Sequence, residues 1–179
     1  MTKKTIFASI KTFSNEGLEP MRRVLRHLTP DFELLRISSI YQVDRLAESL
    51  TGLRDVRKEE HLQGLAVVFK ARTELAPEAA LAALQSAERV NQKEFLRRSV
   101  SLNLLLYENL VMMNPGLALP HPEMHLRPEE IVLINEIQND IVHPVLGEKL
   151  TSLAERFVHE PWGDFFAQGS AVLESILKT

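Results

Sequence analysis

Residues Arg97–Tyr107 read R-R-S-V-S-L-N-L-L-L-Y. Val100, Leu102 and Leu104 alternate with Ser101 and Asn103, the period-two pattern of a strand with one apolar and one polar face. The apolar run Leu104-Leu105-Leu106 carries that strand into a core. A polar pair two residues apart on such a strand has the layout of a metal-dependent phosphoryl-transfer site, provided both residues are carboxylates. Here they are a serine and an asparagine.

The flanking segments supply a sheet for this strand. Thr5–Ile10 is short, β-branched and aromatic, and predicts a first strand. Ser14-Asn15-Glu16-Gly17 is turn chemistry. From Leu18 the apolar positions Met21, Val24, Leu25 and Leu28 recur at helical spacing, and Pro30 ends the run. Residues 32–41 and 64–73 predict two further strands. Between them, residues 42–62 are dense in charge but keep a helical period at Leu46, Leu50, Leu53 and Val56, which predicts an excursion containing a helix. Pro77 opens an Ala- and Leu-rich helix over 78–90. Residues 114–128 hold four prolines and predict an ordered loop. Short helices are expected over 128–137 and 150–158, and an amphipathic helical tail over 164–178 that includes Phe165 and Phe166.

The order β-α-β-(excursion)-β-α-β followed by helices predicts an α+β sandwich with a ferredoxin-like core. The expected organisation is one domain over 1–160, with a C-terminal amphipathic helix over 161–179. That helix either packs on the domain or forms a homodimer interface.

At 179 residues the chain is long enough for one substantial core. Its formal net charge of −3 disfavours nucleic acid and anionic membrane as partners. The absence of cysteine removes disulfides and thiol chemistry. The apolar run after Met1-Thr2-Lys3-Lys4 is too short for a signal peptide or a membrane span, so a cytoplasmic location is expected. There is no P-loop, dinucleotide fingerprint or Ser-His-Asp pattern. His121 and His125 flank Pro122-Glu123-Met124, but the displaced Glu and the proline after His121 argue against a zinc helix. His143 before Pro144 reads as a turn residue.

Five blocks, in order, resemble the 6-hydroxymethyl-7,8-dihydropterin pyrophosphokinase family: Arg36–Tyr41, Thr73–Arg89, Arg97–Tyr107, Leu117–Arg127 and Ile141–Leu150. The resemblance implies a pyrophosphokinase of the folate pathway that uses ATP and magnesium. In the family the fourth core strand reads R-T-L-D-L-D-I-L-L-Y, and its two aspartates hold magnesium. Ser101 and Asn103 stand at those positions, so two negative charges are lost. At ~3 kcal/mol each, that loss is worth about four orders of magnitude in rate. No nearby carboxylate is expected to replace them, since Glu108 lies beyond the strand.

Other positions also depart from the family pattern. The first strand's G-S-N is matched by Lys11-Thr12-Phe13. The R-A-F segment, whose aromatic stacks on the pterin, is matched by Arg127-Pro128-Glu129. On the nucleotide side the resemblance carries over Arg98, His121, Arg127 and Glu88. These residues predict a divergent homologue that holds a nucleotide or another phosphate without catalysis. An active pyrophosphokinase with altered metal ligation, and a ligand-free scaffold or dimerisation module, are the alternatives. The chain's own residues assign neither a metal nor a cofactor.

Overall fold

A computed structural model describes residues 2–14, 16–43, 64–91 and 99–178. Helix α1 (Glu19–Leu28) follows strand β1 (Lys4–Phe13) and has Pro20 in its first turn, an acid at its start, and Arg26 and His27 in its last turn. Each feature suits its end of the helix dipole. Its buried stripe is Met21, Val24, Leu25 and Leu28, the spacing seen in the sequence. Strands β2 (Glu33–Ile37) and β3 (Ile40–Gln42) replace the single strand expected over 32–41. The break falls at Ser38 and Ser39: the Ser38 side chain takes backbone partners, and Ser39 Oγ donates to Glu136 Oε1 at 2.7 Å. Ser38 Oγ donates to the Ser39 carbonyl at 2.8 Å and accepts the Val68 amide at 3.0 Å.

Strand β4 (Gly64–Thr73), helix α2 (Pro77–Glu88) and strand β5 (Val100–Tyr107) complete the core. The expected helix over 42–62 lies outside the described residues. The sheet order is β5-β1-β4, with β2 and β3 both pairing β4, and every pairing is antiparallel. This is the order of a split β-α-β core, as the element sequence predicts. Strands β1 and β5 pair Lys11 with Ser101 and Ser9 with Asn103, ahead of a bulge between Phe7 and Ala8.

One face of the sheet (Ile6, Ala8, Ile10, Val67, Phe69, Leu102) packs under α1 and α2. The other face carries Phe7, Val68 and Leu105. It is covered by α3 (Pro128–Ile137) and α4 (Leu150–Glu155), and it also presents Ser9, Lys11, Ser101 and Asn103.

The chain departs from its sequence reading in two further places. Residues 112–119 form a hairpin, β6 (Met112–Asn114) with β7 (Leu117–Leu119), inside the stretch expected to lack regular structure. The tail is not one helix. Asp164–Ala167 is strand β8, antiparallel to β3 and containing Phe165 and Phe166, and only Gly169–Leu177 is helical (α5). Both Phe side chains are largely exposed in the strand, where the Phe165 ring meets Tyr41 edge-on at 6.1 Å. Helix α5 buries Val172 and Ile176 and contacts α1 and β2, so it packs on its own domain. Gly169 permits this approach: a Cβ there would lie 1.9 Å from the Ser38 carbonyl oxygen. None of the helices is long and apolar enough to cross a membrane among the described residues.

Candidate functional site

Ser101 and Asn103 lie side by side on the polar face of β5, the edge strand of the sheet, both partly buried. They form one wall of a cavity of about 850 Å³. At the sheet edge, α2 and the turn that follows it contribute Gln85, Glu88 and Arg89 to the lining, and the β6–β7 hairpin and His121 also line it. The hairpin is held against β5 by the His121 amide, which donates to the Leu105 carbonyl at 2.8 Å after a cis Leu119–Pro120 bond.

Of the residues expected to bind nucleotide, Glu88 and His121 therefore line this cavity. Glu88 Oε1 also accepts the Leu102 amide at 2.7 Å, fixing the end of α2 to the sheet edge. Arg127 stands at the start of α3, hydrogen-bonded to Glu123 and 3.5 Å from Glu130 Oε1. Arg98 lies outside the described residues. His121 Nδ1 accepts the Glu123 amide at 3.3 Å. Burial holds its ring below the usual 6.5, against the opposing pull of the Glu130 carboxylate. His125 is not beside His121 in a shared site; its ring meets that of His143 edge-on at 5.7 Å. His143 Nδ1 accepts the amides of Val145 and Leu146, which makes it the centre of its turn.

The sequence reading placed no acid near the polar pair, and the structure corrects it. Helix α3 begins at Pro128 and aims Glu129 and Glu130 down at the sheet. Lys11, near the end of β1, rises to meet them. Its ammonium lies 2.9 Å from Glu129 Oε1 and 3.1 Å from Glu130 Oε1. Glu130 Oε1 also accepts from Ser9 Oγ at 3.2 Å and Asn103 Nδ2 at 3.4 Å. Lys11 is 4% exposed, Glu129 8% and Glu130 0%, so these charges face one another rather than water. Burial pushes the Glu130 carboxyl up. The Lys11 ammonium, with Arg127 and His121 behind it, outweighs burial and holds the group below its ordinary 4.5.

This arrangement does not fit a divalent cation. Magnesium wants hard anionic oxygens at about 2.1 Å in near-octahedral array. Ser101 and Asn103 offer neutral oxygens, and Glu130, the acid that accepts from Asn103, is already engaged by an ammonium. Among the described residues, no three His, Asp or Glu side chains converge on a common point.

A signal for the ion pair existed in the sequence. Lys11 interrupts an apolar strand, and two adjacent acids begin α3. Acids at a helix start also complement the helix dipole, so that pair alone did not point to the sheet.

The family model described as 7,8-dihydro-6-hydroxymethylpterin-pyrophosphokinase (HPPK) matches residues 12–139. The 2-amino-4-hydroxy-6-hydroxymethyldihydropteridine pyrophosphokinase of Haemophilus influenzae is 37% identical over 94 residues, spanning 50% of this chain and 58% of that protein. The enzyme of the same name from Aquifex aeolicus is 23% identical over 150 residues, 82% of this chain and 88% of its own length. Crystal structures of Plasmodium falciparum HPPK-DHPS share the fold. The wild type has a TM-score of 0.67 at 10% identity and a triple mutant 0.70 at 10%, with 88% and 89% of this chain covered. The chain spans 44% and 45% of those longer proteins. With the family match running from the end of β1 through the whole of α3, the chain belongs to the 7,8-dihydro-6-hydroxymethylpterin-pyrophosphokinase family.

Proposed function

We propose that this family member binds a nucleotide or another phosphate-bearing ligand in the cavity beside β5 and does not transfer pyrophosphate. One observation carries the reading: the 2.9 Å ion pair between Lys11 and Glu129. Lys11 stands where the family pattern has the glycine of its first strand, and Glu129 where it has the aromatic that stacks on the pterin. Two departures that look independent along the chain are thus one contact in space. The pair fills ground that the alcohol substrate would need, and beside it Ser101 and Asn103 supply none of the charge that two magnesium ions would need. Phosphoryl transfer depends on positioning and charge neutralisation, and both are weakened here.

What supports retention of a ligand is the cavity itself. It keeps polar groups from three separate elements (Gln85 and Glu88, Ser101 and Asn103, His121) around an open volume of about 850 Å³. The neutral hydrogen-bonding groups among them suit a nucleoside, and Arg89 in the same lining suits a phosphate.

The test is calorimetric titration of the whole chain with a non-hydrolysable ATP analogue, with and without magnesium, alongside an assay for AMP release in the presence of ATP, magnesium and the pterin alcohol. Binding that is indifferent to magnesium, with no AMP, is the expected result. Formation of AMP and the diphosphorylated pterin would restore the reading of an active pyrophosphokinase. Absence of any binding heat would leave a ligand-free scaffold.

A further inference from the structure

We propose that Lys11 is the resident cation of this site and the residue that excludes divalent metal from it, so that replacing Lys11 alone turns Glu129, Glu130 and Asn103 into a divalent-cation site. This deepens the metal-independent reading above, on which it rests.

The argument begins with charge. Among the described residues, the carboxylates that meet here are Glu123, Glu129 and Glu130, and the cations that meet them are Lys11 and Arg127. Arg127 is shared with the exposed Glu123, whereas Lys11 is the cation that touches both buried acids. Without it, two carboxylates remain under α3, and among the described residues the cation left to them is Arg127, 3.5 Å from Glu130 Oε1. Buried acids in that condition must take up either a proton or another cation.

Geometry explains why the ammonium prevails over a metal. The contacts of 2.9 Å and 3.1 Å are those of N–H donors to carboxylate oxygens. They are about 1 Å too long for magnesium or manganese ligation, so a metal could enter only by displacing the ammonium. Lys11 is also covalently tethered to β1. It therefore competes at an effective concentration far above that of free divalent ions.

A second observation points to a cation rather than to a merely structural ion pair. Glu130 Oε2 is buried and has no hydrogen-bond partner. Such an oxygen costs stability when left alone and is unused ligating capacity. Glu130 Oε1 already gathers Lys11, Ser9, Asn103 and Arg127. A divalent ion in the place of the Lys11 ammonium would draw on both Glu130 oxygens, on Glu129, and on Asn103, whose amide can turn its carbonyl oxygen inward.

Manganese is the probe, since it takes the same hard oxygen ligands and its free form is read directly by electron paramagnetic resonance. Three chains are compared at neutral pH: wild type, Lys11→Met, and Lys11→Met/Glu130→Gln. In the wild type the free-manganese signal should persist. Lys11→Met should deplete it, with about a hundredfold tighter binding, as expected when a metal relieves an unpaired buried acid. Adding Glu130→Gln should abolish the gain. Should Lys11→Met be unfolded in the presence of chelator, manganese is expected to restore its thermal transition.

The proposal is overturned if the wild type itself takes up manganese in a manner lost on Glu130→Gln. It is equally overturned if folded Lys11→Met leaves manganese free, or if an unfolded Lys11→Met is not rescued by it. No nucleotide enters the measurement, so a failure of ligand binding in the cavity and a failure here are separate results.

Discussion

Glu88, the last residue of α2, accepts the backbone N–H of Leu102 through Oε1 at 2.7 Å. Strand β5 is a sheet edge, and an edge strand presents amides that need partners from elsewhere. Glu88 supplies one in the middle of the strand that carries Ser101 and Asn103. Glu88→Ala should therefore destabilise the fold by ~1–3 kcal/mol, the cost of leaving a buried amide unpaired. Glu88→Gln keeps an acceptor and should lose less than half as much. Urea unfolding midpoints of the two variants decide the matter. Equal losses would mean that the charge, not the hydrogen bond, is what counts.

Glu130 gives the protein an acid-sensitive contribution to stability. Its folded carboxyl sits below the ordinary 4.5, because Lys11, Arg127 and His121 outweigh burial. The contribution is complete above 4.5 and is lost as the pH falls through the lower folded value, where the native carboxylate is forced to accept a proton. Glu130→Gln should flatten the stability profile across that acidic window. At neutral pH it should cost ~1–3 kcal/mol, the worth of the charge-assisted hydrogen bonds that its Oε1 collects, since Lys11 keeps Glu129 as its counter-ion. Lys11→Met added to it should deepen that loss, because Glu129 is then buried without its ammonium. Denaturant titration at several pH values would show it.

Restoring both family acids should not restore the chemistry. In Ser101→Asp/Asn103→Asp, the donor that Asn103 offers to Glu130 at 3.4 Å becomes a carboxylate facing a carboxylate. Like charges at that separation raise one another's pKa values and cost ~1–3 kcal/mol. Magnesium-dependent AMP release should remain absent, because Lys11 and Glu129 still occupy the neighbouring ground. Chromatography of a reaction containing ATP, magnesium and the pterin alcohol checks the outcome, and a product peak would show that the pair of acids is sufficient.

Gly169 is the point at which α5 is fastened to the domain. A methyl group there would lie 1.9 Å from the Ser38 carbonyl oxygen and 2.8 Å from Ile37 Cγ2. Backbone does not yield to such an overlap as a side-chain tip does. Gly169→Ala should cost upwards of ~3 kcal/mol and loosen the C-terminal segment. Limited proteolysis should then cleave between β8 and α5 well before the rest of the domain is attacked.

Much of this architecture is legible in the sequence because it rests on short-range periodicity. The stripe Met21-Val24-Leu25-Leu28, the alternation through Val100–Leu104 and the prolines that open α1, α2 and α3 each announce an element within a few residues. Strand β8 was not legible. Four residues with Phe165 and Phe166 adjacent have no period of their own, and it is the free edge of β3 that makes them a strand. The β6–β7 hairpin was hidden by its prolines, which sit beside the paired residues rather than within them.

The site divides in the same way. Ser101 and Asn103 could be placed on one wall by alternation alone. The partnership of Lys11 with Glu129 could not, since 118 residues separate them and neither is unusual in its own element. Complementary charges at two positions that each depart from the family pattern were the available clue. It becomes one only when both departures are considered together.

The double contact of Lys11 with Glu129 and Glu130 also bears on how such a site can change over generations. Removing Lys11 leaves both acids stranded in the interior, so that solitary step passes through a less stable protein. Arrangements of this kind act as a ratchet. Descendants drift more freely at the open cavity wall than at this knot of charge, and the way back to an ancestral metal centre demands several replacements in concert.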